Sequence, residues 1–230
     1  MATALITGCN RGIGLEFVKQ MLARGDRVLG ACRNPQAALE LNALSNSSDE
    51  LKLFELDVSS QQSMEELPGA LQEQPIDIFI NNAGVYGPRD SVFGNVGTGD
   101  WIDVLQINSM APVILTQLLI DNLRQGDGKK LVYITSKMGS IDDNKGGGSY
   151  VYRSSKAALN AVVKSIAVDL GNAGFSAAVL HPGWVLTDMG GPNALIDVST
   201  SVSGMLKVID YMDAGNSGSF FNYDGSIIPW

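Results

Sequence analysis

Short runs of β-branched and aliphatic residues alternate with longer stretches in which apolar residues recur every three to four positions. The runs predict strands at Ala4–Thr7, Arg27–Cys32, Leu51–Leu56, Ile76–Ile80, Lys130–Thr135, Ser176–Leu180 and Ser219–Asn222. Most are apolar on consecutive positions, as strands covered on both faces must be. The longer stretches predict helices at Ile13–Arg24, Gln36–Ala43, Gln61–Gln72, Asp100–Arg124, Tyr152–Leu170 and Val198–Met212. Strand and helix in alternation imply an α/β fold: one doubly wound, Rossmann-type parallel sheet of seven strands with helices on both faces. The chain shows no interdomain linker and no internal repeat, so residues 1–230 are expected to form a single dinucleotide-binding and catalytic domain. The two longest connections, Tyr86–Gly99 and Asp142–Ser149, follow predicted strand C-termini, where open α/β sheets bind ligands.

Composition narrows the function. A formal net charge of −8 argues against nucleic acid and anionic membranes as partners. The longest nearly apolar run, Met110–Ile120, has 11 residues, against roughly 20 for a membrane span. The N-terminus enters a strand without a signal-peptide pattern, so a cytoplasmic location is expected. Cys9 and Cys32, the only cysteines, lack metal-ligand spacing and are expected to be reduced thiols, with no metal bound.

The first predicted strand runs into Gly8-Cys9-Asn10-Arg11-Gly12-Ile13-Gly14, and a helix follows. Glycine at 8 allows a tight turn, glycine at 12 admits a pyrophosphate against the backbone, and glycine at 14 lets helix and strand pack closely. The helix N-terminus adds N–H donors and a partial positive charge. The Lys-Ser/Thr of a triphosphate loop is missing, which argues against a kinase or ATPase. Between Arg27 and Ala38 there is no acid to hold a ribose 2′-hydroxyl; Arg33, with Arg11 near it, suits a 2′-phosphate and hence NADPH/NADP+. A solvated loop position is the other reading of Arg33.

With the glycine loop, the segments Asn81-Asn82-Ala83-Gly84, Tyr152-x-x-x-Lys156 and Pro182-Gly183 occur in the order of the short-chain dehydrogenases/reductases, and the resemblance covers the whole chain. Within that family, Gly8-Cys9-Asn10-Arg11-Gly12, His181–Val185 with Thr187–Gly191, and Asn222–Gly225 are similar to the sniffer-type carbonyl reductases and the bacterial C-factor proteins. The resemblance implies a catalytic set of Asn108, Ser136, Tyr152 and Lys156. It implies a cofactor site of Gly8, Asn10, Arg11, Gly12, Ile13, Gly14, Arg33, Asp57, Val58, Asn82, Ala83, Gly84, Tyr152, Lys156, Pro182, Gly183, Val185 and Thr187. Asp57 would contact the adenine, or else cap the next helix. Asn108 would bind a water linking Lys156 to solvent.

The chemistry asks for such groups. Reducing a carbonyl needs hydride at carbon and a proton at oxygen, and the cofactor supplies only the hydride. A tyrosine with a free pKa of about 10 is a poor acid–base group until a cation stabilises its phenolate. Lys156, four residues on, shares a helix face with Tyr152. Ser136 ends a predicted strand and can hydrogen-bond the substrate oxygen. It precedes Tyr152 by 16 residues, a wider spacing than the family usually shows, so Ser140 remains an alternative.

An oxidoreductase acting on a small carbonyl or alcohol substrate is the expected function. The competing readings are a non-catalytic cofactor-binding signalling or scaffold protein and a 3-oxoacyl-type reductase. By resemblance, the helices Asp100–Arg124 and Tyr152–Leu170 would pair copies into a homodimer or homotetramer.

Overall fold

The computed structural model describes all residues 1–230. Seven strands, β1 (Thr3–Thr7), β2 (Arg27–Cys32), β3 (Leu51–Glu55), β4 (Ile78–Asn81), β5 (Lys130–Ile134), β6 (Ser176–His181) and β7 (Phe220–Asn222), form one sheet. All neighbours are parallel, in the order β3-β2-β1-β4-β5-β6-β7. The helices are α1 (Gly12–Ala23), α2 (Leu39–Ser47), α3 (Gln61–Leu71), α4 (Thr98–Leu105), α5 (Ala111–Leu118), α6 (Ile120–Gln125), α7 (Tyr150–Gly171) and α8 (Val198–Tyr211).

The apolar runs fill two cores, one on each face. Ala4, Ile6, Ile78, Ile80, Val132 and Leu180 point toward Phe17, Val18, Leu41 and Met205 of α1, α2 and α8. Their neighbours Leu5, Phe79, Leu131, Tyr133 and Val179 point toward Met64, Leu115, Leu123 and Val163 of α3, α5, α6 and α7. The two cores hold 25 and 24 buried residues, so neither side of the sheet can tolerate a polar repeat. The strand order reverses between β1 and β4, and this switch opens a crevice at the strands' C-terminal ends. No helix is long and apolar enough to cross a membrane.

Two helical expectations change. The stretch Gln36–Ala43 begins instead as a 3₁₀ turn, Pro35–Ala37, capped by the Asn34 side chain accepting from Ala37 N–H. Ala38 then leaves helical geometry (ψ 81°), and α2 starts only at Leu39. The single helix expected over Asp100–Arg124 is broken into α4, a five-residue π turn at Gln106–Met110, α5 and α6. Pro112 takes an early position of α5, where its missing N–H costs least, and Leu119 departs from helical ψ before α6. The π turn carries Asn108, and such bulges recur at functional sites.

Candidate active site

Each residue of the glycine loop meets a distinct steric demand. Gly8 has φ +65° and Gly12 φ +53°, backbone that side chains rarely adopt. A Cβ on Gly14 would fall 2.3 Å from the Gly8 carbonyl oxygen and 2.6 Å from Asn82 Nδ2, so α1 can meet β1 only with glycine there. The N-cap of α1, Arg11, makes no side-chain cap, and the first turn carries no acid. Its free N–H groups and dipole therefore face the crevice unneutralised, which fits an anionic group such as a pyrophosphate.

Thr7 anchors the next wall. Its Oγ1 accepts from Asn82 N–H and Ala83 N–H, both at 3.0 Å, while Asn82 Nδ2 donates to the carbonyls of Thr7 and Gly8 at 3.0 and 3.1 Å. Asn108 then grips the following residue. Its Oδ1 accepts from Val85 N–H (2.9 Å), and its Nδ2 donates to Val85 O (2.7 Å) and Ser155 Oγ (3.0 Å). Both side-chain donors are thus engaged, and the side chain ties the loop after β4 onto α7.

Strand β5 delivers Ser136. Gly139, in the 3₁₀ turn Lys137–Gly139, lies so close to α7 that a Cβ would come 2.9 Å from Lys156 Cβ. Asn160 fastens the same turn, donating to Gly139 O (3.3 Å) and accepting from Thr135 Oγ1 (2.7 Å). Ser136 Oγ accepts from Met138 N–H at 3.1 Å and lies near enough to the Tyr152 phenol to pull its pKa down. Ser140 is buried with its hydroxyl spent on Asp143 N–H and Trp230 O, so of the two serines Ser136 is the one beside Tyr152.

Tyr152 and Lys156 are 7 % and 5 % exposed. Burial pushes the Tyr152 phenol up to about 12, with a smaller contribution from Tyr86, against the nearby Ser136 hydroxyl that pulls it down. Burial pulls the Lys156 ammonium down to about 8. Lys156 Nζ donates to Ile134 O at 2.9 Å and lies 5.9 Å from the Tyr152 ring centre. One of its three donors is thus committed, beside Gly84, where a Cβ would come 3.4 Å from Nζ.

These walls enclose a cleft of about 420 Å³. Of the expected residues, Gly8, Asn10, Arg11, Gly12, Ile13, Gly14, Arg33, Asp57, Val58, Asn82, Ala83, Gly84, Tyr152, Lys156, Pro182 and Thr187 line it. Asn108, Ser136, Gly183 and Val185 do not. Gly183 (φ +86°) lies under Ile196 and Tyr223, and Val185 is buried and bridges Ile196. Arg11 lines the cleft and also forms an ion pair with Asp188, a partner the sequence did not suggest. Asp57 accepts from Ser59 N–H and Oγ, bonds that with Arg33 hold its carboxyl below the usual range. Cys9 and Cys32 are free, buried neighbours, and Cys32 borders the cleft.

The family model for short chain dehydrogenases matches residues 2–195. The chain belongs to this family. Its relatives include the C-signal of Myxococcus xanthus, 46 % identical over 156 residues that cover 68 % of this chain and 93 % of that protein. Among solved structures, the carbonyl reductase Sniffer of D. melanogaster superposes with a TM-score of 0.94 at 35 % identity, covering 100 % of both chains. The NADPH-bound carbonyl reductase from chicken fatty liver superposes at 0.93 with 32 % identity, covering 100 % of this chain and 99 % of that one. As a short-chain dehydrogenase, the chain has an oxidoreductase fold whose loop, Asn-Ala-Gly wall and Tyr–Lys helix converge on one cleft.

Sequence reasoning missed Thr7, Asn160, Asp188 and Tyr86. Thr7 and Asn160 carry no local signal, because their partners lie 75 and 25 residues away. Tyr86 had one: an aromatic residue two positions after Gly84, in a long loop at the sheet's C-terminal edge.

Proposed function

We propose that this short-chain dehydrogenase reduces small ketones or aldehydes with NADPH, with Tyr152 passing the proton to the substrate oxygen. The observation that carries the reading is that Tyr152 and Lys156, with Ser136 beside Tyr152, meet a cleft that the uncapped N-terminus of α1 also enters. NADPH, when bound, would supply the hydride. Gly12 and the first turn of α1 would hold its pyrophosphate, Arg33 its 2′-phosphate and Asp57 its adenine side. The carbonyl reductase from chicken fatty liver is NADPH-bound, which supports this cofactor.

The protein groups do the rest. At neutral pH the buried Tyr152 phenol is protonated and so ready to donate. Lys156, still charged at pH 7, lowers the cost of the phenolate left behind. Ser136 shares the substrate oxygen with Tyr152 and holds it within donor range. Reduced-cofactor consumption over a panel of ketones, aldehydes and quinones tests the reading. Turnover with NADPH preferred over NADH is expected. No turnover with any compound refutes it.

The relative named C-signal favours a second reading, a cofactor-binding protein that signals without turnover. Tight NADPH binding with no turnover separates it from the first. A 3-oxoacyl-type reductase fits less well, because the −8 net charge disfavours an acidic carrier protein. Exposed Ile102, Met110 and Val168 on α4, the π turn and α7 support self-association as a homodimer or homotetramer. Light scattering in solution measures it. A cytoplasmic location completes the proposal, tested by fractionating cells.

A further inference from the structure

We infer that Tyr86 is a positioning residue for the Tyr152 hydroxyl, holding the face of the Tyr152 ring by stacking and closing that face to water. The inference rests on the proposed role of Tyr152 as proton donor. The two rings lie 4.3 Å apart, centre to centre, with their planes 22° from parallel. Each limits how the other can move, since a swing about the Cα–Cβ bond of Tyr152 toward Tyr86, the motion that would carry its hydroxyl away, drives one ring into the other.

Tyr86 is itself held from three directions. Upstream, Asn108 grips both the N–H and the C=O of Val85, so the backbone enters Tyr86 at a fixed angle. Downstream, Gly87 turns the chain away at φ +75°, where a Cβ would come 2.7 Å from Val104 Cγ2. At its tip, the Tyr86 hydroxyl lies 3.2 Å from Ser149 Oγ and reaches Met138 Sδ at 3.9 Å. Ser149 has φ +47° and immediately precedes α7, so the hydroxyl ties the loop after β4 to the start of the helix that carries Tyr152. Over the Tyr86 ring sits the Arg89 guanidinium, 5.2 Å from its centre. Its Nη2 donates to Met189 O at 2.9 Å, linking the stack to the segment after β6.

A donor works only if its proton lies within hydrogen-bond reach of the substrate oxygen, and small misplacement costs rate steeply. The stack also bears on titration. The ionisable or hydroxyl groups facing Tyr152 are Lys156 from α7, Ser136 from the turn after β5, and Tyr86 with Arg89 over it from the loop after β4. Asp188 shares the cleft but is paired with Arg11. Desolvation is the largest cause of the high Tyr152 value, so uncovering one ring face should lower it.

The test compares Tyr86→Phe, which keeps the ring, with Tyr86→Leu and Tyr86→Met, which remove it. Phenolate absorbance is titrated in the cofactor-free protein, with and without Tyr152→Phe in the same background, so that the difference reports Tyr152 alone. In the Leu and Met variants Tyr152 should titrate lower, toward about 10. Their kcat should fall roughly ten-fold, a part of the effect of losing a positioned acid. KM and NADPH affinity should move less than about three-fold. Tyr86→Phe should keep kcat within about two-fold of the unmodified protein, as stacking does not need the hydroxyl, and should lower the Tyr152 titration by less than the ring-less variants, since it loses only the smaller contribution of the Tyr86 phenol. An unmoved Tyr152 titration in both ring-less variants overturns the inference. So does a raised KM with unchanged kcat, which makes Tyr86 a substrate wall and nothing more. The titration needs no substrate, so failure of the proposed reductase activity leaves the Tyr86–Tyr152 coupling separately decided.

Discussion

Tyr152→Phe should abolish turnover while leaving the rest of the site in place. Phenylalanine keeps the ring that stacks on Tyr86 at 4.3 Å and fills the same 7 %-exposed space. What is lost is the hydroxyl beside Ser136, and even a full hydrogen bond there would be worth only about 1 kcal/mol of stability. That is small against a typical stability of about 5–15 kcal/mol, so the variant should fold. Turnover loses its positioned proton donor, and a fall of at least ~10²-fold is expected, about 2.7 kcal/mol on the barrier. Lys156 cannot step in without moving, because its Nζ lies 5.9 Å from the ring centre and is bonded to Ile134 O. Single-turnover oxidation of NADPH with saturating carbonyl compound measures the chemistry, and a fluorescence titration measures cofactor affinity, which should change less than about three-fold. Tyr150→Phe is the control. Tyr150 is 39 % exposed and, two positions earlier on α7, faces away from Tyr152, so its loss should leave turnover nearly intact. If Tyr152→Phe keeps turnover within ten-fold of the unmodified protein, or if Tyr150→Phe is the change that abolishes it, the assignment of the proton to Tyr152 is wrong.

Arg33→Asp should erase a preference for NADPH over NADH, since a charged hydrogen bond of about 1.5–3 kcal/mol becomes a repulsion; equal dissociation constants for the two cofactors in the unmodified protein would refute the role. Alkylation should reach Cys32 before Cys9. The hydrogen bond with Cys9 holds the Cys32 thiol below its ordinary value, whereas the same contact and burial push Cys9 up. NADPH should slow the labelling because Cys32 borders the cleft, and peptide mapping that finds Cys9 labelled first, or no protection, contradicts this. His181 is held neutral by burial, its value pulled down to about 4 from 6.5, with Nδ1 unpartnered. The unfolded chain binds the proton more readily, so stability is present above pH 6.5 and is lost as pH falls toward 4, by about 3 kcal/mol. Urea midpoints should therefore drop less between pH 7 and 4.5 in His181→Gln than in the unmodified protein, and an equal drop would show that His181 is not the group responsible.

The strands were legible to within about two residues because burial on both faces leaves a period-free apolar run, as in Ile78-Phe79-Ile80 and Leu131-Val132-Tyr133. The glycines were legible for a similar reason: at Gly14 no other residue fits, and steric exclusion writes itself into one position. The break in the expected helix over Asp100–Arg124 was not legible. Apolar periodicity continues through the π turn, and the Asn108 it carries bonds Val85, a partner 23 residues away outside that helix. The partner of Arg11 was hidden for a related reason. The arginine's charge was read against the nearest predicted anion, whereas Asp188, 177 residues on, is brought to it only by the return of the chain after β6. Contacts of this kind have no local signature in the chain, because the sheet brings them together after the elements have formed. The same holds for Tyr86 and Tyr152. Each could be singled out from its own segment, Tyr152 by its lysine and Tyr86 by its loop, but that they face each other follows from β4 and β5 being neighbours in the sheet. Residues that meet a steric or chemical demand within one segment can thus be found by reading, while those that aim another residue's side chain are set by topology, and it is among these that this chain departs most from expectation.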